Sequence, residues 1–102
     1  MPKNTTRVFC RAAQLVKRGW SQGALARDAH GRVCPAYVPR ARFWDVLGAV
    51  LRAEYELFDG DEVVLHPEDR EYWWRKTEWN DQQDRTATEV VSYLRRRAKV
   101  SA

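Results

Sequence analysis

Cysteine is scarce: Cys10 and Cys34 are the only two in 102 residues. Two cysteines cannot make a disulfide-dense scaffold. The expected setting is a reducing cytoplasm, with both thiols free and filling small gaps in the core; one disulfide between them is the alternative. No uncharged apolar run approaches the roughly 18 residues of a membrane span, so no transmembrane segment is expected. The first seven residues lead into no uninterrupted apolar stretch, and no secretory signal is expected. Glycine-rich phosphate loops, internal repeats and low-complexity tracts are all missing.

What is present is the composition of one folded domain. Hydrophobic residues make up 44% and aromatics 12%, five of them Trp, which argues against disorder. The net charge is only +4, but it is unevenly placed. Residues 1–53 hold ten basic and two acidic residues, a balance of +8. Residues 54–84 hold three basic and eleven acidic, a balance of −8, and residues 85–102 return to +4. Fourteen of the eighteen basic residues are Arg, which makes planar, bidentate contacts with carboxylate or phosphate. The simpler expectation is that the acidic middle folds against the basic ends, in surface pairs of about 0–1 kcal/mol each. The other is a dipolar molecule with one basic and one acidic face.

Hydrophobic spacing predicts a mainly α, compact single domain over 1–102. It has three to four helices, with residues 1–4 a loose arm and 99–102 a loose tail. Val8, Phe9, Ala12, Leu15 and Val16 form one stripe of a helix over about 6–18, capped by Thr5 or Thr6. Gly19 is expected as its left-handed terminator, with Trp20 packing back. Residues 25–34 read as a small β-hairpin turning at Asp28-Ala29-His30-Gly31, or as an irregular loop. A second helix is predicted from about 40–41 to 56, with Phe43, Val46, Leu47, Val50, Leu51 and Tyr55 on its apolar face. Gly48 inside it costs about 1 kcal/mol relative to Ala and suggests a close crossing by another helix. Val63-Val64-Leu65 is either extended or the start of the next element, and Pro67-Glu68-Asp69 resembles the first turn of a third helix over about 67–77. Residues 79–85 read as a polar turn in which Arg85 pairs with Asp81 or Asp84. Thr86 and Glu89 form a capping box for a last helix over about 87–98.

Three segments carry a resemblance. Residues 11–32 read RAAQLVKRGWSQGALARDAHGR, residues 43–49 read FWDVLGA, and residues 79–91 read WNDQQDRTATEVV. This order resembles a family of small bacterial and phage-type domains of unknown function. Its pattern is RGW-x-QGA-x-ARD-x-x-GR, then LGA in an aromatic helix, then WND-x-x-x-RT-x-x-EV. The match spans most of residues 7–98. The family often has Cys where this chain has Asp45, and an aliphatic stretch where this chain has the charged, Trp-rich residues 66–78. The resemblance implies a common compact fold and carries no activity.

Motifs for chemistry are weak. His30, Cys34, Cys10 and His66 lack the paired Cys-x-x-Cys spacing of a zinc site, and Asp59, Asp61 and Glu62 lack the twelve-residue calcium pattern. Cys34 with His30 is a nucleophile–base pair of the kind any small protein offers, and Asp81 with Asp84 is better read as turn chemistry. No catalytic, cofactor or metal site is therefore expected, and the chain reads as a non-enzymatic binding or accessory protein. Tyr72, Trp73, Trp74 and Trp79 crowd into eight residues, and adjacent Trp side chains point about 100° apart on a helix. One of Trp73 and Trp74 is expected to be at least partly exposed. Trp with nearby Arg is the composition of interface hot spots. Trp73 and Trp74 are the candidate anchors for a protein partner, with Arg75, Glu68, Asp69 and Glu71 as the polar surround. A phage or mobile-element protein that modulates a host protein would fit the resemblance, and a homo-oligomer is a further option. The runner-up is nucleic-acid binding through Arg7, Arg11, Arg95, Arg96 and Arg97, if the first and last helices pack side by side.

Overall fold

The computed structural model describes residues 4–101. Four helices surround one core: α1 (Asn4–Arg18), α2 (Val46–Phe58), α3 (Arg70–Asn80) and α4 (Ala87–Ser101). A 3₁₀ turn over Pro67–Asp69 leads into α3. Two short strands, β1 (Ala26–Asp28) and β2 (Ala41–Trp44), pair antiparallel between α1 and α2. The fold is mainly α, as the hydrophobic spacing predicts, with a small two-stranded antiparallel pair whose second strand is 41–44 and not the expected segment within 25–34.

Helix α1 is the central element. Val8, Phe9, Ala12, Ala13, Leu15 and Val16 are all buried, so its apolar stripe is the predicted one. Helix α4 supplies Val90, Val91, Leu94 and Ala98 against it. The Thr6 hydroxyl donates to the Ala98 carbonyl at 3.1 Å, which sets the start of α1 beside the end of α4. Thr6 therefore ties two helices together from inside α1 rather than capping it. Asn4 already belongs to α1, and residues 99–101 belong to α4, so these residues are helix and not loose arm or tail. Residues 1–3 and 102 lie outside the described residues.

Helix α2 begins later than its apolar spacing suggests. Asp45 is its N-cap, with the side chain accepting from the Gly48 N–H at 2.6 Å. Residues 41–44 are strand, not helix. The buried face is Val46, Ala49, Val50 and Ala53, while Phe43 and Tyr55 are exposed and Leu47 and Leu51 half-buried. Small side chains face α1 because only they let two backbones come close. Gly48 does mark a close approach, but by the backbone of Leu25 and not by a helix. Gly19 likewise keeps a negative φ and is no left-handed terminator; the Arg42 carbonyl occupies the space a Cβ would need.

The predicted turn at 28–31 forms. The Asp28 carboxylate accepts from the His30 and Arg32 amides at 2.9 and 3.0 Å, and Gly31 has φ of +79°. The Arg32 amide is the main reason the Asp28 carboxyl lies below its usual pKa. Beyond the turn, residue 33 makes only an isolated bridge to Arg27, and the lasting partner of β1 is β2, with Ala26 opposite Trp44. Cys34 is buried as expected, whereas Cys10 is exposed; both are free thiols. Val63-Val64-Leu65 is neither strand nor helix. Its three amides converge on Oε2 of buried Glu54, at 2.7, 2.6 and 3.3 Å. This carboxylate holds the connection that delivers α3.

Candidate functional site

Asn80 organises the interior. It ends α3 and is fully buried. Its Oδ1 accepts from the Trp20 indole N–H at 2.9 Å and from the Val46 amide at 3.0 Å. Its Nδ2 donates to the Ser21 carbonyl at 3.0 Å and to Asp81 Oδ1 at 2.9 Å. Gln22 donates to the carbonyls of Asn80 and Gln82, and the Gly23 amide donates to Asp81 Oδ1. One side chain thus joins the exit of α1, the first turn of α2 and the end of α3. Arg85 does not pair with Asp81 or Asp84; it bridges to Glu89 at 2.7 Å and donates to the Trp79 carbonyl. The Thr86–Glu89 capping box closes as predicted: Glu89 accepts from the Thr86 amide and Thr86 Oγ1 accepts from the Glu89 amide.

The Trp pair divides between core and surface. Trp73 is 5% exposed and stacks on Phe9, with ring centroids 6.4 Å apart. Trp74 is 68% exposed. Both line a groove of about 330 Å³ with Leu47, Leu51, Leu65 and Pro67. Glu62, His66 and Arg70 stand at the same groove. Glu68 and Glu71 are exposed on the turn and helix that carry Trp74, Asp69 is half-buried, and Arg75 pairs with Glu71 at 2.8 Å. Spacing assigned Leu47 and Leu51 to the core face of α2, and their role as groove wall was not legible. Leu51 also lines a neighbouring cleft with Tyr37 and Tyr55, whose exposed rings lie 5.6 Å apart. An apolar strip therefore continues from Trp74 along α2.

The five candidate nucleic-acid residues do not gather on one surface. Helices α1 and α4 pack side by side, but Arg7 sits over the Phe58 ring and Arg11 bridges to Glu56 at 2.6 Å, both toward α2. Arg97 turns toward α3: it lies 4.8 Å from the Phe9 ring centroid and donates to the Tyr72 and Tyr93 hydroxyls at 2.6 and 2.8 Å. Arg95 and Arg96 remain exposed on α4. Beside Arg97, the Lys76 ammonium stands 4.2 Å from the Tyr93 ring and 4.5 Å from the Trp79 ring. Burial, followed by the charges of Arg97, Arg85 and Arg96, lowers the Lys76 pKa. Among the described residues no group of three or more His, Cys, Asp or Glu could hold a metal ion, and no helix is long and apolar enough to cross a membrane.

A family model, a family of unknown function designated DUF6197, matches residues 1–100. The chain belongs to DUF6197. No curated protein and no solved structure matches it.

The segments that carry the resemblance meet at Asn80, 20–23 from one side and 79–82 from the other, with Asp45 beside them. In this DUF6197 chain those residues build the scaffold. Trp74 and its groove stand apart from them, built from α2, the 62–67 connection and α3.

Asp45 makes the scaffold sensitive to pH. Burial pushes its carboxyl up to about 7, against the Gly48 amide bond that favours the charged form, and nearby Asp81 raises it further. A carboxyl whose folded pKa exceeds its unfolded value of 3.8 stabilises the fold most below that value. Its contribution falls as pH rises toward 7 and is flat beyond, by at most about 4 kcal/mol across the window. Asp45→Asn keeps the capping oxygen and removes the titration. Urea denaturation at pH 4.5, 6 and 7.5 is expected to show the Asn variant gaining on the wild type as pH rises. A constant difference across the three would show that Asp45 is ionised in the folded protein throughout.

Proposed function

We propose that this protein is a binding module that captures a segment of a protein partner in the groove under Trp74. The observation that carries this reading is an indole 68% exposed beside three half-buried leucines, Leu47, Leu51 and Leu65. A large aromatic left in water next to an apolar trough is the arrangement of an interface anchor, in which a few desolvated aromatic residues carry most of the affinity. Buried Trp73 forms the floor and locks the geometry through Phe9. At about 330 Å³ the groove is at the small end of ligand sites, which span ~300–1,000 Å³. It suits side chains of an extended or helical segment rather than a large cofactor.

Charge selects the partner. Residues 54–84 carry a balance of −8, and no ion pair among the described residues engages Glu62, Glu68 or Asp69. The fitting occupant is a segment with apolar side chains flanked by Lys or Arg. Its apolar contacts supply affinity, and Glu62 at the groove, beside Arg70, together with Glu68 and Asp69 on the adjoining turn, supplies orientation and on-rate.

The test is a tagged pull-down from lysate after nuclease digestion, with wild type and Trp74→Ala in parallel. A discrete protein is expected on the wild type and is expected to be lost from the variant. With that partner purified, calorimetry is expected to show a loss of about 2 kcal/mol or more, roughly thirtyfold in Kd. The Tm should hold within a few degrees, because Trp74 is mostly in water in the free protein. Equal retention by both forms, or co-purifying nucleic acid with no protein left after digestion, rejects the reading.

A further inference from the structure

A second site lies elsewhere on the molecule and shares no lining residue with the Trp74 groove. It is a cleft of about 530 Å³ between α1, β2 and α2. Four arginines line it, Arg11, Arg18, Arg42 and Arg52, against a single acid, Glu56. That acid is already taken. Its two oxygens accept from Arg11 at 2.6 and 3.3 Å and from Arg52 at 2.9 Å, and these bonds lower its pKa against the opposing effect of burial. Arg11 and Arg52 are therefore clamped as walls, with Arg52 also donating to the Ala36 and Val38 carbonyls.

Arg18 and Arg42 are differently placed. Among the described residues Arg18 makes no hydrogen bond or ion pair. Arg42 donates only from Nη1, to the Pro39 and Ala41 carbonyls, so the rest of its guanidinium is available. The fold sets the two side by side. Gly19 has no side chain, so its backbone packs against the Arg42 carbonyl, and the Trp44 amide donates to the Gly19 carbonyl at 3.0 Å. Arg18 precedes Gly19, so it stands next to Arg42 at the cleft. The Arg18 guanidinium and the open side of the Arg42 guanidinium in a concave site, with two more clamped behind them, match the charge and fork geometry of a phosphate. The remaining wall is aromatic and apolar: Phe43 at 36% exposure, the buried Trp44 and Leu15. That wall suits a planar ring.

We propose that this cleft binds a phosphate-bearing ligand of nucleotide size, with Arg18 and Arg42 holding the phosphate and Phe43 meeting the base. Free nucleotides and single nucleic-acid strands both present this chemistry. Neither the C-terminal Arg run nor the Trp74 groove takes part.

Calorimetry of the full chain at low salt separates the sources, using adenosine monophosphate, an eight-residue oligothymidylate and inorganic phosphate. Binding of the mononucleotide is expected if the ligand is a free nucleotide; binding of the oligonucleotide alone assigns a strand. Either affinity should fall at least tenfold in Arg18→Glu and in Arg42→Glu, and should weaken as salt rises. Arg95→Glu, a reversal on exposed α4 away from the cleft, should leave it unchanged. Because Arg18 makes no side-chain bond in the fold and only its charge at the end of α1 is lost, Arg18→Glu should lower the Tm by no more than a few degrees and remains informative if Arg42→Glu unfolds. The proposal is overturned if neither nucleotide nor strand binds at millimolar concentration. Arg95→Glu weakening binding as much as Arg18→Glu, or inorganic phosphate binding as tightly as the nucleotide, would also overturn it.

Discussion

Asn80→Ala is expected to lower the unfolding free energy by about 4–5 kcal/mol, a large share of the ~5–15 kcal/mol that holds a domain of this size together. The change removes one buried amide and strands its partners. The Trp20 indole N–H and the Val46 amide lose their acceptor, and the Ser21 carbonyl loses its donor. Each buried group left unpaired costs about 1–3 kcal/mol, and the small cavity adds to this. Val46 is the first residue of α2, so its orphaned amide also loosens a helix start. Asn80→Asp separates the terms. It keeps the acceptor for Trp20 and Val46, loses the donor to Ser21, and adds a carboxyl close to Asp81 and the already burdened Asp45. It should therefore be destabilised as well, and most at high pH. Chemical denaturation followed by Trp fluorescence measures both. A loss below about 1 kcal/mol for Asn80→Ala would mean that water satisfies these groups and that Asn80 is no hub.

Gly48→Ala is the second, and its sign is the decisive feature. In an unobstructed helix interior, alanine is better than glycine by about 1 kcal/mol. Here a Cβ would sit 1.9 Å from the Leu25 carbonyl oxygen and 2.7 Å from its carbon. That carbonyl cannot retreat freely, because it accepts from the Asp45 amide at 3.2 Å. Nor can Gly48 move, since its own amide is held by the Asp45 carboxylate at 2.6 Å. A backbone-against-backbone overlap has no rotamer to relieve it. The expected cost is about 3–5 kcal/mol, with loss of the β1 contact to the start of α2. Circular dichroism melts of the two proteins would show it. A Gly48→Ala variant melting at or above wild type would mean that Leu25 is not packed on α2.

Both predictions rest on the same corner of the molecule, where segments far apart in the chain meet. Trp20, Gln22, Gly23, Asn80 and Asp81 lie about sixty residues apart in sequence and meet in hydrogen-bond register. A pattern this polar invites a search for chemistry. Its geometry shows mutual pairing instead: Trp20, Gln22 and Gly23 donate to acceptors on residues 80–82, and Asn80 donates back to the Ser21 carbonyl, while the buried Ser21 hydroxyl finds no partner among the described residues. The two surfaces proposed for binding, the exposed Trp74 groove and the arginine-lined cleft, lie outside it.

Local signals were legible wherever a residue's partner lies within one helical turn or one tight turn. The stripe of α1, the Thr86–Glu89 capping box and the Asp28–Gly31 turn all follow from spacing alone, because their hydrogen bonds close over three or four residues. That one of Trp73 and Trp74 must face outward followed from the 100° step of a helix, although which one did not. The start of α2 was misplaced for an instructive reason. Phe43 fits the helical period, yet β1 offers residues 41–44 a ladder, and Asp45 then caps the helix behind them. Gly48 was seen as a close approach, but its neighbour is a strand-end carbonyl that no periodicity encodes. The buried role of Glu54, the hub at Asn80 and the juxtaposition of Arg18 with Arg42 are beyond any local reading. The sequence by itself determined the mainly α class, the stripe of α1 and the Thr86–Glu89 capping box, since these depend on contacts between near neighbours. Only the tertiary structure decided which polar residues are sealed inside and which aromatic and basic residues are left exposed, since that depends on what packs opposite them.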